Sequence, residues 1–165
     1  MILYYNNTLL HTALKEVKEF NEGLNKNSDI MFEQMYKNKG IGLAANQIGL
    51  DIRLIVYDAA KYGGNKLSLV NPKIIKKIGK TNIDREGCLS APGIEVEIKR
   101  FPEIIIEAQK LDGTKIVFIA KDYEARILQH EIDHINGIMC VDKTDSKNKN
   151  LIKFKLKQIF GDFRA

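Results

Sequence analysis

The chain has 165 residues, 44% hydrophobic and 28% charged, with a formal net charge of +5. That length sets one domain of roughly 100–200 residues, here spanning 1–165, and the composition excludes a disordered or collagen-like chain. Its uncharged apolar runs, such as Ile41–Leu50, fall far short of the ~20 residues of a membrane-spanning helix.

In chain order, the N-terminal Met1-Ile2-Leu3-Tyr4-Tyr5 lacks the basic start and long apolar stretch of a secretory signal. Cys88 and Cys140 are therefore expected to be free thiols or metal ligands in a reducing cytoplasm. Thr8–Phe20 and Ser28–Lys39 predict helices, the second capped by Ser28 and stopped by Gly40. Ile52–Asp58, Leu67–Asn71 and Ile74–Ile78 predict strands, rich in β-branched residues and separated by Gly, Asn or Pro. Ile94–Lys99 alternates apolar and charged residues, one face in and one out. Ile104–Lys110 and Lys115–Ile119 flank the hairpin signal Asp112-Gly113.

Asp122–Asn136 predicts a helix, with Asp122 as its cap, Glu124 at the positive end of the dipole and Gly137 as a left-handed stop. Leu128, Ile132 and Ile135 give it an apolar stripe. A last helix over Lys147–Phe160 puts Ile152, Leu156, Ile159 and Phe163 on one side and Lys147, Lys153 and Lys157 on another. The sum is an α+β fold: mainly antiparallel sheets packed around a central helix, with a C-terminal helix in addition. The charge is uneven, because Lys143–Ala165 holds seven basic and two acidic side chains and so carries the whole +5. Such a tail suits RNA, an acidic membrane surface or an acidic protein, or is a solvated lysine face.

Chemistry concentrates in short stretches. In His130-Glu131-Ile132-Asp133-His134 the two histidines are four apart, so on a helix both imidazoles face one metal ion. Glu131 lies ~100° round the helix from His130, close enough to serve a water without being a ligand. A catalytic site of this type needs a third protein ligand and an open position. Spacing alone does not choose it. A thiolate suits a borderline metal, and Cys88 in Glu86-Gly87-Cys88-Leu89-Ser90 is the chemically favoured candidate over His11. Cys140, in Ile138-Met139-Cys140-Val141, is expected to be a small buried hydrophobe. Gly40-Ile41-Gly42-Leu43-Ala44-Ala45 matches a dinucleotide fingerprint in letters only. It follows a predicted helix and precedes a strand, the reverse of what that function needs. It suits a backbone lying flat against a ligand, with Gln47 as an amide donor.

Taken together, Gly40 to Gln47, Glu86 to Ser90 and Gln129 to His134 resemble the ordered motifs G-x-G-L-A-A-x-Q, E-G-C-L-S and Q-H-E-x-D-H of the peptide deformylase family. The likeness runs from about Met31 to Asp142. Asn46 stands where the family most often has Pro, Ala91 replaces a larger aliphatic residue, and Tyr5–Leu10 lacks the usual Pro and Arg. The resemblance implies a hydrolase that removes the formyl group from N-formyl-methionyl nascent peptides. It implies Cys88, His130 and His134 as ligands of a divalent metal, Fe2+ in the cell with Zn2+, Ni2+ or Co2+ as substitutes. It implies Glu131 as general acid and base, and Gln47 and the Leu89 backbone N–H as oxyanion donors. A peptide along the glycine loop would set its first side chain against Ile41, Gly42 and Ile127. Arg126, Asp133, Arg100 and Glu86 are expected to be structural ion pairs or supports of the ligands. The expected partners are the formylated peptide and, through the basic C-terminal helix, the ribosome, with no membrane and a monomeric state. A zinc peptidase recruiting His or Glu as third ligand is the competing enzyme. A binding module that has lost its chemistry would show a broken motif, and here every motif residue is present.

Overall fold

In the computed structural model, which describes residues 1–145 and 147–161, the β-branched segments pair into two antiparallel sheets. The larger sheet has the order β1 (Gly42–Ala44), β2 (Leu54–Asp58), β3 (Lys66–Ile78), β6 (Glu103–Gln109), β7 (Lys115–Lys121). The smaller pairs β4 (Asn82–Gly87) with β5 (Glu95–Arg100), from Asn82 opposite Arg100 to Gly87 opposite Glu95. Helices α1 (Glu22–Lys37) and α2 (Asp122–Ile135) pack on β1 and β2, and α2 also on β7. Their apolar faces bury Met31, Met35, Leu128 and Ile132 against Leu43, Ile55, Leu69 and Ile106. Among the described residues, no helix is long and apolar enough to cross a membrane.

Several expectations are corrected. Thr8–Phe20 is not a helix. Only Thr8–His11 makes a single 3-10 turn, capped by Asn7, and the chain then runs without regular structure to residue 20. Its backbone bonds to other parts of the chain. Leu14 N–H donates to Ile135 O at 2.9 Å and Val17 N–H to Asn71 Oδ1 at 2.9 Å, while Lys15 O accepts from Arg53 N–H at 2.8 Å. Leu14 anchors the strap in the core. Helix α1 begins six residues before the expected Ser28, because Asn21 caps it by accepting from Leu24 N–H. Ser28 is buried mid-helix, its hydroxyl 2.6 Å from that of Ser68. The left-handed residue ending α1 is Lys39, φ 58°, and not Gly40. The Gly40 N–H then closes the turn on Met35 O.

Leu67–Asn71 and Ile74–Ile78 are one strand. Asn71 takes φ 50°, and the pairing with β6 shifts register on either side of Lys73–Ile74. The bulges absorb Pro72, which has no N–H for the ladder. Strands β1 and β4 have no predicted counterpart: β1 is a three-residue strand, and β4 is too polar to alternate. Helix α2 starts at Asp122, but Lys121 is its cap and Asp122 itself sits at φ 50°. Gly137 does take the expected left-handed conformation, φ 75°. A Cβ there would lie 2.8 Å from the carbonyl carbons of His11 and Thr12, so glycine lets the N-terminal strap cross the end of α2. Helix α3 (Lys149–Phe160) buries Ile152 and Leu156 beside Leu10, Val96 and Met139. Ile159, expected on that side, is 51% exposed, and Phe163 lies outside the described residues.

Candidate metal centre and cleft

Strand β4 ends at Gly87, and the next turn carries Cys88 beside the C-terminal half of α2. There the ligand atoms of Cys88, His130 and His134 all lie within 4.8 Å of one another. Cys88 Sγ is 3.2 Å from His134 Nε2, and the two imidazole centroids are 4.9 Å apart. A thiolate and two imidazoles form a donor set for a borderline divalent cation, whose tetrahedral ligand atoms would stand ~3.3–3.6 Å apart. His11, the remaining histidine, sits elsewhere, with Nε2 2.7 Å from Tyr5 O.

Protein groups hold each donor in place. Cys88 Sγ accepts from Ser90 N–H at 3.4 Å and from Gln47 Nε2 at 3.5 Å. Its neighbour Cys140 and burial push the Cys88 thiol up. Cys140 is buried as expected, in the second apolar cluster with Met139 and Val141. Burial and the charge of His130 keep the His134 imidazole well below the usual histidine range, hence neutral and able to ligate. His130 Nδ1 lies 3.0 Å from Glu86 Oε2, a bond in which Nδ1–H donates and the Nε2 lone pair is left for a cation. Burial alone would lower the His130 imidazole. Its bond to Glu86 and the charges of Glu131 and Cys140 together outweigh this and raise it to about 9, so a cation at Nε2 takes the place of a proton there.

Glu86 is the centre of a buried ionic cluster. It accepts from Arg100 Nε at 2.9 Å and Nη2 at 2.8 Å, and from Arg126 Nη1 at 2.7 Å. Arg100 also pairs with Asp133, which Lys143 Nζ reaches at 2.6 Å. Burial opposes ionisation of Glu86, but the bonds from Arg100 and His130 hold it well below the usual carboxylate range. Glu86 in β4 joins β5 and α2 by pairing with Arg100, Arg126 and His130, while Asp133 pairs with Arg100 and Lys143.

Glu131 is 4% exposed, and burial pushes its carboxyl up to about 7. Its Oε2 is buried with no hydrogen-bond partner among the described residues, as is His134 Nδ1. A Cβ on Gly42 would lie 2.3 Å from Glu131 Oε1, so the glycine loop and this carboxylate occupy adjoining space. Gln47 turns its Oε1 to Ala44 N–H at 2.8 Å and its Nε2 to Ser90 Oγ at 3.1 Å. Sequence reasoning missed one positioning contact. Asn46 is fully buried and donates from Nδ2 to His134 O at 2.7 Å, tying the glycine loop to the last turn of α2. Its only signal was the departure from the family's Pro.

These groups share a cleft of about 780 Å³, lined by Ile41, Gly42, Gln47, Cys88, Leu89, Ile127, His130 and Glu131. Every predicted site residue is therefore in or against one cleft, with His134 behind Cys88.

A family model described as polypeptide deformylase matches residues 1–150. A peptide deformylase from Chromobacterium violaceum is 40% identical over 157 residues, covering 95% of this chain and 93% of its own length. A Plasmodium falciparum peptide deformylase solved with an inhibitor superposes with a TM-score of 0.89 at 33% identity, over 98% of this chain and 100% of that one. An Arabidopsis thaliana peptide deformylase, also with an inhibitor, gives 0.89 at 36% identity, over 96% and 88%.

Proposed function

The chain belongs to the peptide deformylase family, and we propose that it is a metal-dependent amide hydrolase releasing formate from N-formyl-methionyl nascent peptides. The observation that carries this reading is the buried Cys88–His130–His134 cluster with the unpartnered Glu131 carboxylate beside it. Cys88, His130 and His134 would hold one divalent ion, with Fe2+ the expected occupant and Zn2+, Ni2+ or Co2+ able to substitute. Such an ion lowers the pKa of a bound water towards ~7 and supplies the nucleophile.

The remaining work falls to the chain. Glu131 takes the proton of the attacking water at its free oxygen and returns it to the leaving nitrogen, a step that amides need because the amine is a poor leaving group. Burial raises its carboxyl above the usual carboxylate range, which favours its holding and returning a proton. Gln47 Nε2 and the Leu89 backbone N–H are the donors for the oxygen that gains charge. Ile41, Gly42 and Ile127 wall the space for an unbranched apolar side chain next to the formyl group. One methylene there changes discrimination by only ~1–3 kcal/mol, so formyl-norleucine reacts while formyl-glycine is slow. In this reading the enzyme works as a monomer in a reducing cytoplasm, which keeps Cys88 and Cys140 as thiols.

The test is formate release from formyl-Met-Ala-Ser under anaerobic conditions, with metal analysis of the same sample. Turnover together with a bound divalent ion is expected, and no formate from an ion-loaded sample would overturn the assignment. Cys88→Ala should lose the ion. A peptidase with a different third ligand would keep it. Gly42→Ala should fold, because the atoms its methyl meets belong to the movable Glu131 side chain. By displacing that carboxylate it should cost about 100-fold in turnover, and turnover equal to the native enzyme would detach Glu131 from the chemistry.

Ribosome contact through α3 is the second part of the proposal. The lysines there would meet RNA phosphates in a sequence-independent, salt-sensitive way. Changing Lys153 and Lys157 of α3, with Lys147 just before it, to Glu should leave turnover of a free formyl-peptide unchanged and abolish co-sedimentation with ribosomes at low salt. Co-sedimentation that survives would make α3 purely structural.

A further inference from the structure

The mouth of the cleft is basic in a way that deformylation does not use. Lys39 after α1, Lys61 before β3, Arg85 in β4 and Lys155 in α3 all line it. All four are exposed, and none forms an ion pair with a carboxylate among the described residues. The acids of the same wall do not offset them. Glu86 is engaged by Arg100 and Arg126, and Glu131 is buried in the floor. That leaves Glu95 as the one exposed carboxylate among the described lining residues. Four exposed cations from distant parts of the chain and one exposed carboxylate thus line the cleft, with Asp58 outside the lining but near enough to act on Lys61. Clefts lined by one sign of charge concentrate ligands of the other.

The cleft also reaches further than the reacting group needs. Cavities of ~300–1,000 Å³ take drug-sized ligands, so a cleft of about 780 Å³ holds several extended residues. With the formyl group held on the floor by Cys88 and His130, the exposed cations of the lining would be left to meet the residues beyond it. Lys155 makes the C-terminal helix part of this wall.

We propose that this rim selects formyl-peptides bearing a carboxylate beyond the formylated residue. The group would be an Asp or Glu side chain at the second or third position, or the free C-terminus of a short peptide. The proposal rests on the deformylase reading and refines its substrate class.

The test compares kcat/KM of the metal-loaded enzyme on four peptides: formyl-Met-Ala-Glu-amide, formyl-Met-Ala-Gln-amide, formyl-Met-Ala-Lys-amide and formyl-Met-Ala-Gln with a free C-terminus. At low salt the Glu peptide should exceed the Gln amide by about two- to fivefold through KM, the Lys peptide should fall below it, and ~0.5 M salt should flatten the series. A gain with the free C-terminus alone assigns the rim to the terminal carboxylate, and a gain with Glu alone to the side chain. Changing Lys39, Lys61, Arg85 and Lys155 together to Gln should bring the Glu-to-Lys ratio close to one, and Lys155→Gln alone should lower it. Equal kcat/KM for all four peptides in the native enzyme overturns the proposal. So does a fourfold variant that loses ribosome binding yet keeps the ratio, since the rim would then serve RNA. Absence of formate from every peptide would instead strike the deformylase reading.

Discussion

Glu131→Gln is expected to lower kcat by about 10²–10⁴-fold while metal content and thermal stability stay close to those of the native protein. The carboxylate is buried beside the Cys88–His130–His134 cluster, is not among the three grouped donors, and has one oxygen with no partner among the described residues. An amide of the same shape fills the same space but cannot accept and return a proton. Turnover, metal analysis and a melting curve on the same preparation settle the matter. Near-native kcat would remove Glu131 from the mechanism, and loss of the ion would make it a support of the ligands.

Glu86→Ala is expected to be the most destabilising single change at the site. It leaves Arg100, 2% exposed, and Arg126, 6% exposed, without the carboxylate they share. Removing one partner of a buried ionic group typically costs ~3–5 kcal/mol. In a chain of this length that corresponds to a fall of roughly 6–20 °C in Tm. The same change removes the acceptor at His130 Nδ1, and losing such a partner typically weakens metal binding ~10–100-fold. Melting curves and competition with a chelator read the two effects separately. Glu86→Gln keeps the volume and one acceptor, so it isolates the charge. Unchanged metal affinity in a destabilised Glu86→Ala would make this carboxylate structural only.

The parts of the site legible in the sequence are those set by short-range geometry. His130 and His134 face one way because a helix repeats every ~3.6 residues, and Glu131 is offset from them for the same reason. The left-handed stop at Gly137 and the hairpin of β6 and β7 around Asp112-Gly113 were legible on the same grounds. Where local signals and tertiary pairing disagreed, pairing won. The apolar residues of Thr8–Phe20 suggested a helix, yet the strap satisfies its N–H and C=O groups on Ile135, Asn71 and Arg53. Asn71-Pro72 suggested a break, yet β6 holds β3 together across two bulges.

By itself, then, the sequence determined the helix that carries His130 and His134, the ordered motifs and through them the family. All of these lie within single turns or short runs of residues. Only the tertiary structure decided that Cys88, 42 residues before His130, meets it, because the β4–β5 sheet packs its end against α2. Only it made Glu86 the shared partner of Arg100, Arg126 and His130, and put Asn46 on the His134 carbonyl. It also brought Lys155 of the last helix to the rim of a cleft whose floor is built 25 residues earlier in the chain. Such contacts are chosen by burial and by the need to pair every desolvated charge, and neither leaves a periodic mark on the sequence.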